Sequence, residues 1–239
     1  MQTYLLLHGS WHDGHAWDGV AAHLRAHGVQ VHAPTIAGHG VGADKRVSHA
    51  DCVASVLDYV RRHDLRDLVV LGHSWGGSIV QRLAEEEPER CKRLIFHNAF
   101  VLRDGEALFD LLPPHYQALW KNAVDADGGI MLPFPIWRDG FIGDADLAQA
   151  QQAYAQLSPT PARSHFDAVP LKRFHELHIP RSWLYATDDV ALPPGEYGWH
   201  PRLSARLGAY RLVSLPGSHE VCFSAPALLA EKILLAGRD

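Results

Sequence analysis

Gly72-His73-Ser74-Trp75-Gly76 matches G-x-S-x-G, a pattern in which a strand ends, turns sharply through a strained serine and feeds a helix, leaving the hydroxyl exposed above a sheet. A serine hydroxyl is a poor nucleophile at neutral pH and needs a base to take its proton as it attacks a carbonyl. His219, in Pro216-Gly217-Ser218-His219, offers an imidazole for that step. Asp189 offers a carboxylate to accept a hydrogen bond from the other ring nitrogen and fix its tautomer. Asp188 and Asp104 are alternative carboxylates, each just past an apolar run. The oxyanion formed in such an attack needs preorganised donors, and the backbone N–H groups of Trp75 and Ser10 are the candidates. Five residues of this kind also occur in ordinary surface turns, so the flanking elements decide between the two readings.

Residues 68–71 form a continuous apolar run, and Ile79, Val80, Leu83 and Ala84 follow at helical spacing until Pro88. Strand, turn, helix is the context that the motif requires. Upstream, residues 4–7 read as a buried strand, and Trp17, Val20, Ala21 and Leu24 give a helix face closed by Gly28. Residues 29–34 read as a second strand, and Ser48 with Asp51 caps a helix whose buried stripe is Val53, Val56, Leu57 and Val60. Residues 94–96 give a fourth strand. Such alternation signals a parallel sheet with helices on both faces. Residues 183–186 and 210–215 supply strands five and six, residues 203–207 part of a helix, and Pro226 starts the last helix.

Between about 103 and 180 the strand signals vanish. Helical pieces at 106–112 and 144–157 are separated by prolines, which predicts a helical cap inserted into one domain with a core of 1–102 and 181–239. Its aromatics Tyr116, Trp120, Phe134, Trp137, Phe141 and Tyr154 either line a pocket or pack the cap on the body; Trp120 and Trp137 are the substrate-binding candidates among them. In a parallel sheet, ligands meet the carboxyl ends of the strands. Ser10, Ser74, Asp189 and His219 follow the first, third, fifth and sixth strands, so residues distant in sequence converge there.

The 239 residues, 47% hydrophobic, suffice for one sizeable core, and a formal net charge of -5 with scattered Lys and Arg argues against a nucleic-acid surface. Three cysteines, Cys52, Cys91 and Cys222, have no metal-type spacing and suit buried thiols in a reducing compartment. Residues 1–9 carry no basic leader, and their apolar run is too short for a signal peptide or a spanning helix, so a cytoplasmic location away from membranes is expected. Among 17 histidines, His8, His12 and His15 lie close together, but in a loop with Gly9 and Gly14 rather than at the helical spacing of a zinc site. No metal is expected there. Cleft-lining or solvated roles are the better reading, and His12 is kept as a substrate-binding candidate.

The order Ser, Asp, His along the chain is that of α/β-hydrolases. Over nearly its whole length the chain resembles the branch holding plant methylesterases, hydroxynitrile lyases and their bacterial esterase relatives. The matching stretches are His8-Gly9-Ser10-Trp11-His12 before Trp17, Gly72-His73-Ser74-Trp75-Gly76-Gly77, Phe96-His97-Asn98-Ala99-Phe100, and Asp189 followed by Ala191-Leu192-Pro193. The resemblance implies an α/β-hydrolase fold with a six-stranded, mainly parallel sheet and a helical cap. It places the triad on Ser74, Asp189 and His219 and the oxyanion donors on Ser10 and Trp75. Lyases of that branch carry Thr where this chain has Gly9 and Lys where it has Glu220. Gly9 agrees with the esterases; a carboxylate at Glu220 would repel an anionic leaving group and matches neither branch. Both positions are therefore substrate-binding candidates.

The expectation is hydrolysis of a small to medium ester with an aromatic or alkyl part, through an acyl-serine and without a cofactor. Homodimers are common among similar proteins, so a homodimer is one expectation. Two other classes share the fold: a lyase or cofactor-free oxygenase using the His–Asp pair as base, and a ligand-binding receptor.

Overall fold

Along β1 (Thr3–Leu7) the side chains of Tyr4 and Leu6 enter one apolar cluster and those of Leu5 and Leu7 another, and all four are fully buried. A strand covered on both faces needs such an unbroken apolar run. The computed structural model describes residues 2–239; Met1, the first residue of the leader reading, lies outside them. After β1 come α1 (Asp18–Ala26), β2 (Gln30–His32), α2 (His49–Arg62), β3 (Leu68–His73), α3 (Gly76–Glu86) and β4 (Cys91–His97). The inserted segment holds α4 (Pro114–Asn122), β5 (Gly129–Ile130), α5 (Phe134–Phe141), α6 (Leu147–Tyr154), β6 (Thr160–Pro161) and α7 (Arg163–Phe166). Then follow β7 (Arg181–Ala186), β8 (Arg211–Leu215), α8 (Val221–Ser224) and α9 (Pro226–Ala236).

Six strands form one sheet in the order β2-β1-β3-β4-β7-β8, and every pairing in it is parallel. Val20, Ala21 and Leu24 of α1 and Leu229, Ala230 and Ile233 of α9 cover the face of Tyr4 and Leu6. Val53, Val56 and Val60 of α2 and Ile79 and Val80 of α3 cover the face of Leu5 and Leu7, and the apolar residues of the inserted segment extend that cluster. From β1 the chain first builds outward to β2 and then crosses back to β3. The carboxyl ends of β1 and β3 therefore flank the switch point where open α/β sheets bind ligands.

Four expectations need correction. The inserted segment is not purely helical, because β5 and β6 pair antiparallel. Residues 106–112 hold only a 3-10 turn, Leu108–Leu111, and residues 203–207 only Ser204–Leu207. The helix predicted over 144–157 shortens to α6, because the side chain of Asp146 caps it through the Gln149 N–H at 2.8 Å. Asp144 instead accepts from Ser218 N–H at 3.0 Å and from the Ser224 hydroxyl at 2.7 Å, tying the segment to the loop that carries His219.

Candidate active site

Ser74 sits between β3 and α3 at φ +54°, in the left-handed region that a non-glycine residue rarely adopts. Backbone bonds hold it there: its N–H donates to the His97 carbonyl at 3.2 Å, and its carbonyl accepts from Gly77 at 3.1 Å and Phe100 at 3.0 Å. Two glycines let the turn close. A Cβ on Gly72 would stand 2.6 Å from the Gly76 carbonyl oxygen, and one on Gly76 would stand 2.7 Å from that of His8. Helix α3 thus packs backbone to backbone against β1 and β3.

His219, in the loop after β8, places Nδ1 2.6 Å from Asp189 Oδ2, and both side chains are buried. Asp189 Oδ2 also accepts from Asn98 Nδ2 at 2.6 Å, and Oδ1 from the Ala191 N–H at 2.9 Å. Asn98 is fixed in turn by the Ala186 carbonyl and N–H at 3.0 and 3.2 Å. Its position after β4 was visible in the sequence only as part of a matching stretch, with no role attached. Asp188 is engaged elsewhere, accepting from Gly217 N–H at 2.9 Å, and Asp104 pairs with Lys172 at 2.7 Å, so Asp189 is the carboxylate that meets the imidazole.

The His219 ring lies on Trp199 at 5.2 Å and 16°, meets the edge of Phe141, and is 4.4 Å from the ring of His73, the residue before Ser74. Burial pushes its pKa down, but the charge and hydrogen bond of Asp189, with the charge of Glu220, outweigh that, and the net shift is upward. Its neighbours go the other way. Burial, reinforced by nearby imidazoles, holds His73 well below the ordinary value, and burial drives His97 to about 4. One basic histidine therefore stands among neutral ones. Among the described residues no protein group bonds its Nε2, nor accepts from the N–H groups of Ser10 and Trp75.

Ser10 and Ser74 line one cavity of about 530 Å³, open mouth included, whose other walls include Trp11, Trp120, Phe141 and Trp199. Among the described residues no charged side chain lines it. Trp120 is where the candidates place it. Trp137, His12, Gly9 and Glu220 are not among the lining residues. Trp137 is fully buried within the inserted segment, 5.5 Å from the ring of Tyr154. Gly9 backs Ser74 instead: a Cβ there would stand 3.1 Å from Ser74 Cβ and 3.0 Å from His73 Nδ1. Glu220 is buried against His12, Oε1 to Nε2 at 2.9 Å, so its carboxylate is occupied there rather than held toward a leaving group. Of the aromatics in the inserted segment, Tyr116, Trp120 and Phe141 face the cavity, whereas Phe134 and Trp137 pack on Tyr154.

The three early histidines diverge. His8 bonds the Gly9 carbonyl and the Ile36 N–H, His12 bonds Glu220, and His15 bonds Asp18. A strained serine, an imidazole with one nitrogen free, a buried carboxylate behind it and two unengaged amides are together the parts of an acyl-transfer site.

The comparisons with known proteins agree with this fold. A model described as the alpha/beta hydrolase family matches residues 4–232. A solved extracellular α/β-hydrolase from a Paenibacillus species, described as sharing homology with tobacco salicylic acid binding protein 2, is 41% identical with TM-score 0.97, covering 100% of both chains. A pyrethroid hydrolase from Sphingobium wenxiniae is 30% identical over 96% of this chain and 85% of its own length. A carbendazim hydrolyzing esterase from a Nocardioides species is 26% identical over 99% and 100%. A solved Arabidopsis methylesterase, 18% identical with TM-score 0.79 over 99% of this chain and 98% of its own, shares the fold. By sequence, by fold and by the turn on which Ser74 stands, the chain belongs to the alpha/beta hydrolase family.

Proposed function

We propose that this protein hydrolyses neutral carboxylic esters through an acyl-serine intermediate. Ser74 attacks the carbonyl, His219 takes the proton and passes it to the leaving alcohol, Asp189 holds the imidazole, and the amides of Ser10 and Trp75 receive the oxyanion. Water then repeats the sequence on the acyl-enzyme. The observation that carries this reading is the buried pair of His219 and Asp189 at 2.6 Å, its imidazole 4.4 Å from the ring of His73 next to a serine at φ +54°, together with the two unengaged amides of Ser10 and Trp75. The relatives named as an esterase and a pyrethroid hydrolase support the same chemistry.

An apolar, uncharged wall favours an ester with an aromatic or alkyl part over a sugar or nucleotide. Residues 1–102 and 181–239 act as the catalytic body and 103–180 as its cap. The three unpaired, buried cysteines support a reducing compartment, whereas the similar Paenibacillus protein is described as extracellular. Intact-protein mass after exposure to a small fluorophosphonate tests the nucleophile without choosing a substrate. One adduct, mapped to Ser74, is expected, and Ser74→Ala loses both the adduct and turnover, by about 10⁴- to 10⁶-fold, while remaining folded. Near-native ester hydrolysis by Ser74→Ala would sink the mechanism.

A further inference from the structure

The side chains of the two residues that present the amides are tied to consecutive residues of α7. Trp75 Nε1–H donates to the Ser164 carbonyl at 3.0 Å, and Ser10 Oγ lies 2.7 Å from His165 Nε2. The direction of the second bond is set by the other side of the ring. His165 Nδ1 faces the Pro161 carbonyl at 3.1 Å and the Ser164 Oγ at 2.8 Å; with the Ser164 proton given to that carbonyl, both oxygens accept from the ring, so Nδ1 carries the proton. Nε2 is then a bare lone pair, and the Ser10 hydroxyl donates to it. The Ser164 hydroxyl also donates to the Pro161 carbonyl, at 2.7 Å, closing the turn. The Trp75 indole stacks with the rings of His39 at 4.7 Å and His165 at 5.7 Å.

Ser10 and His165 form a second serine–histidine pair beside the same cavity, so a second nucleophile must be weighed. Two facts count against it. Among the described residues no carboxylate backs His165, and full burial holds its pKa near 3, which makes it too weak a base to activate a hydroxyl. What the pair does well is fix position.

We propose that Ser164 and His165 are positioning residues for the oxyanion site, so that a turn of the inserted segment sets where the amides of Ser10 and Trp75 point. Neighbouring bonds brace the same junction: Ser158 N–H to the Trp11 carbonyl at 2.9 Å, and Trp11 Nε1–H to the Ile130 carbonyl at 3.0 Å. This inference rests on reading the two amides as the oxyanion donors. Loss of one donor costs about 10²- to 10³-fold in kcat, and a donor set loose rather than removed costs less.

The test is hydrolysis of p-nitrophenyl acetate by the wild-type protein, His165→Ala, His165→Gln, Ser10→Ala and the Ser10→Ala/His165→Ala double variant, with melting temperatures and fluorophosphonate labelling rates alongside. His165→Ala is expected to lower kcat about 10- to 100-fold with KM within about twofold. It is expected to weaken inhibition by an aryl boronic acid, which mimics the tetrahedral state, by a similar factor. His165→Gln, whose amide oxygen accepts from Ser10, recovers most of kcat, and the double variant is no slower than His165→Ala. A folded His165→Ala with kcat within twofold of wild type, or single effects that multiply in the double variant, overturns the proposal. Should His165→Ala not fold, Ser10→Ala decides: a fall in kcat of about tenfold at unchanged KM supports the inference, and wild-type kinetics overturn it. A wild-type protein that labels rapidly while these variants keep full activity defeats this inference alone. A wild-type protein that neither labels nor turns over defeats the esterase reading, and this inference with it.

Discussion

As the proposed base, His219 must be neutral to act, so the acid limb of kcat/KM is expected to report its pKa, which the carboxylates of Asp189 and Glu220 lift above 6.5 against the pull of burial. Glu220→Gln removes one favourable charge and leaves a side chain able to meet His12. The imidazolium is then less stabilised and His219 gives up its proton at lower pH, so the acid limb moves down. Its plateau stays near wild type, in contrast to Asp189→Asn, where the plateau falls about 10⁴-fold because the tautomer is lost. kcat/KM measured from pH 5 to 9 checks this; a limb that stays put excludes Glu220 as an influence, and one that moves up contradicts the sign assigned to its charge. At this scale the sequence is readable where chemistry is local. Ser74 announces itself through five contiguous residues, and Asp189 and His219 through the ends of their strands. Asn98 to Asp189, Ser10 to His165 and His12 to Glu220 span 91, 155 and 208 residues, and nothing local to either partner marks the other.

The elbow works because two elements touch without side chains between them. Gly76→Ala would set a Cβ 2.7 Å from the His8 carbonyl oxygen and 2.9 Å from that of Leu7, and backbone cannot swing aside as a flexible side chain would. A loss of about 1–3 kcal/mol is expected. Gly140, inside α5, meets nothing within 4 Å of the same added atom. There Gly140→Ala should stabilise by about 0.5–1 kcal/mol, since alanine loses less freedom in a helix. Chemical denaturation of both variants tests the pair, and equal signs would contradict the packing described. Body elements track the hydrophobic period, which is why β1, β3, α2, α3 and α9 appear close to where the sequence predicts them. Helices α4 and α5 do not, because the prolines near 113 and 133 read as interruptions. In the structure Pro114 and Pro135 occupy the first turns, where a missing N–H costs nothing.

Across the whole molecule, burial holds His8, His49 and His97 near pKa 4 and His165 near 3. In the unfolded chain each would titrate near 6.5. Their folded values are depressed, so they favour folding above 6.5, and that contribution is lost as pH falls from 6.5 towards 4, where the unfolded chain binds protons that the folded one refuses. His219 has the opposite sign: its contribution is complete below 6.5 and is lost as pH rises through its folded value. Four such groups at about 1.4 kcal/mol per pH unit each should lower the melting temperature by roughly 10 °C or more between pH 6.5 and 5. Calorimetry over that range decides, and a flat melting temperature would mean these rings accept protons without unfolding the chain.

That no charged side chain among the described residues lines the cavity bears on the fate of the product once the ester bond is cut. A neutral ester gives up little hydration on entering such walls. Cleavage leaves a free acid, which ionises at neutral pH, and an unpaired carboxylate is poorly housed among indole and phenyl rings. Among the described residues no lysine or arginine lines the chamber to receive it. Apart from the two amides and the imidazole at the reacting carbon, the chamber offers the carboxylate little to replace its water, so the charge the reaction creates favours its exit. A millimolar excess of the acid would then leave the enzyme working at nearly its initial rate, so turnover runs in one direction without a gate having to open.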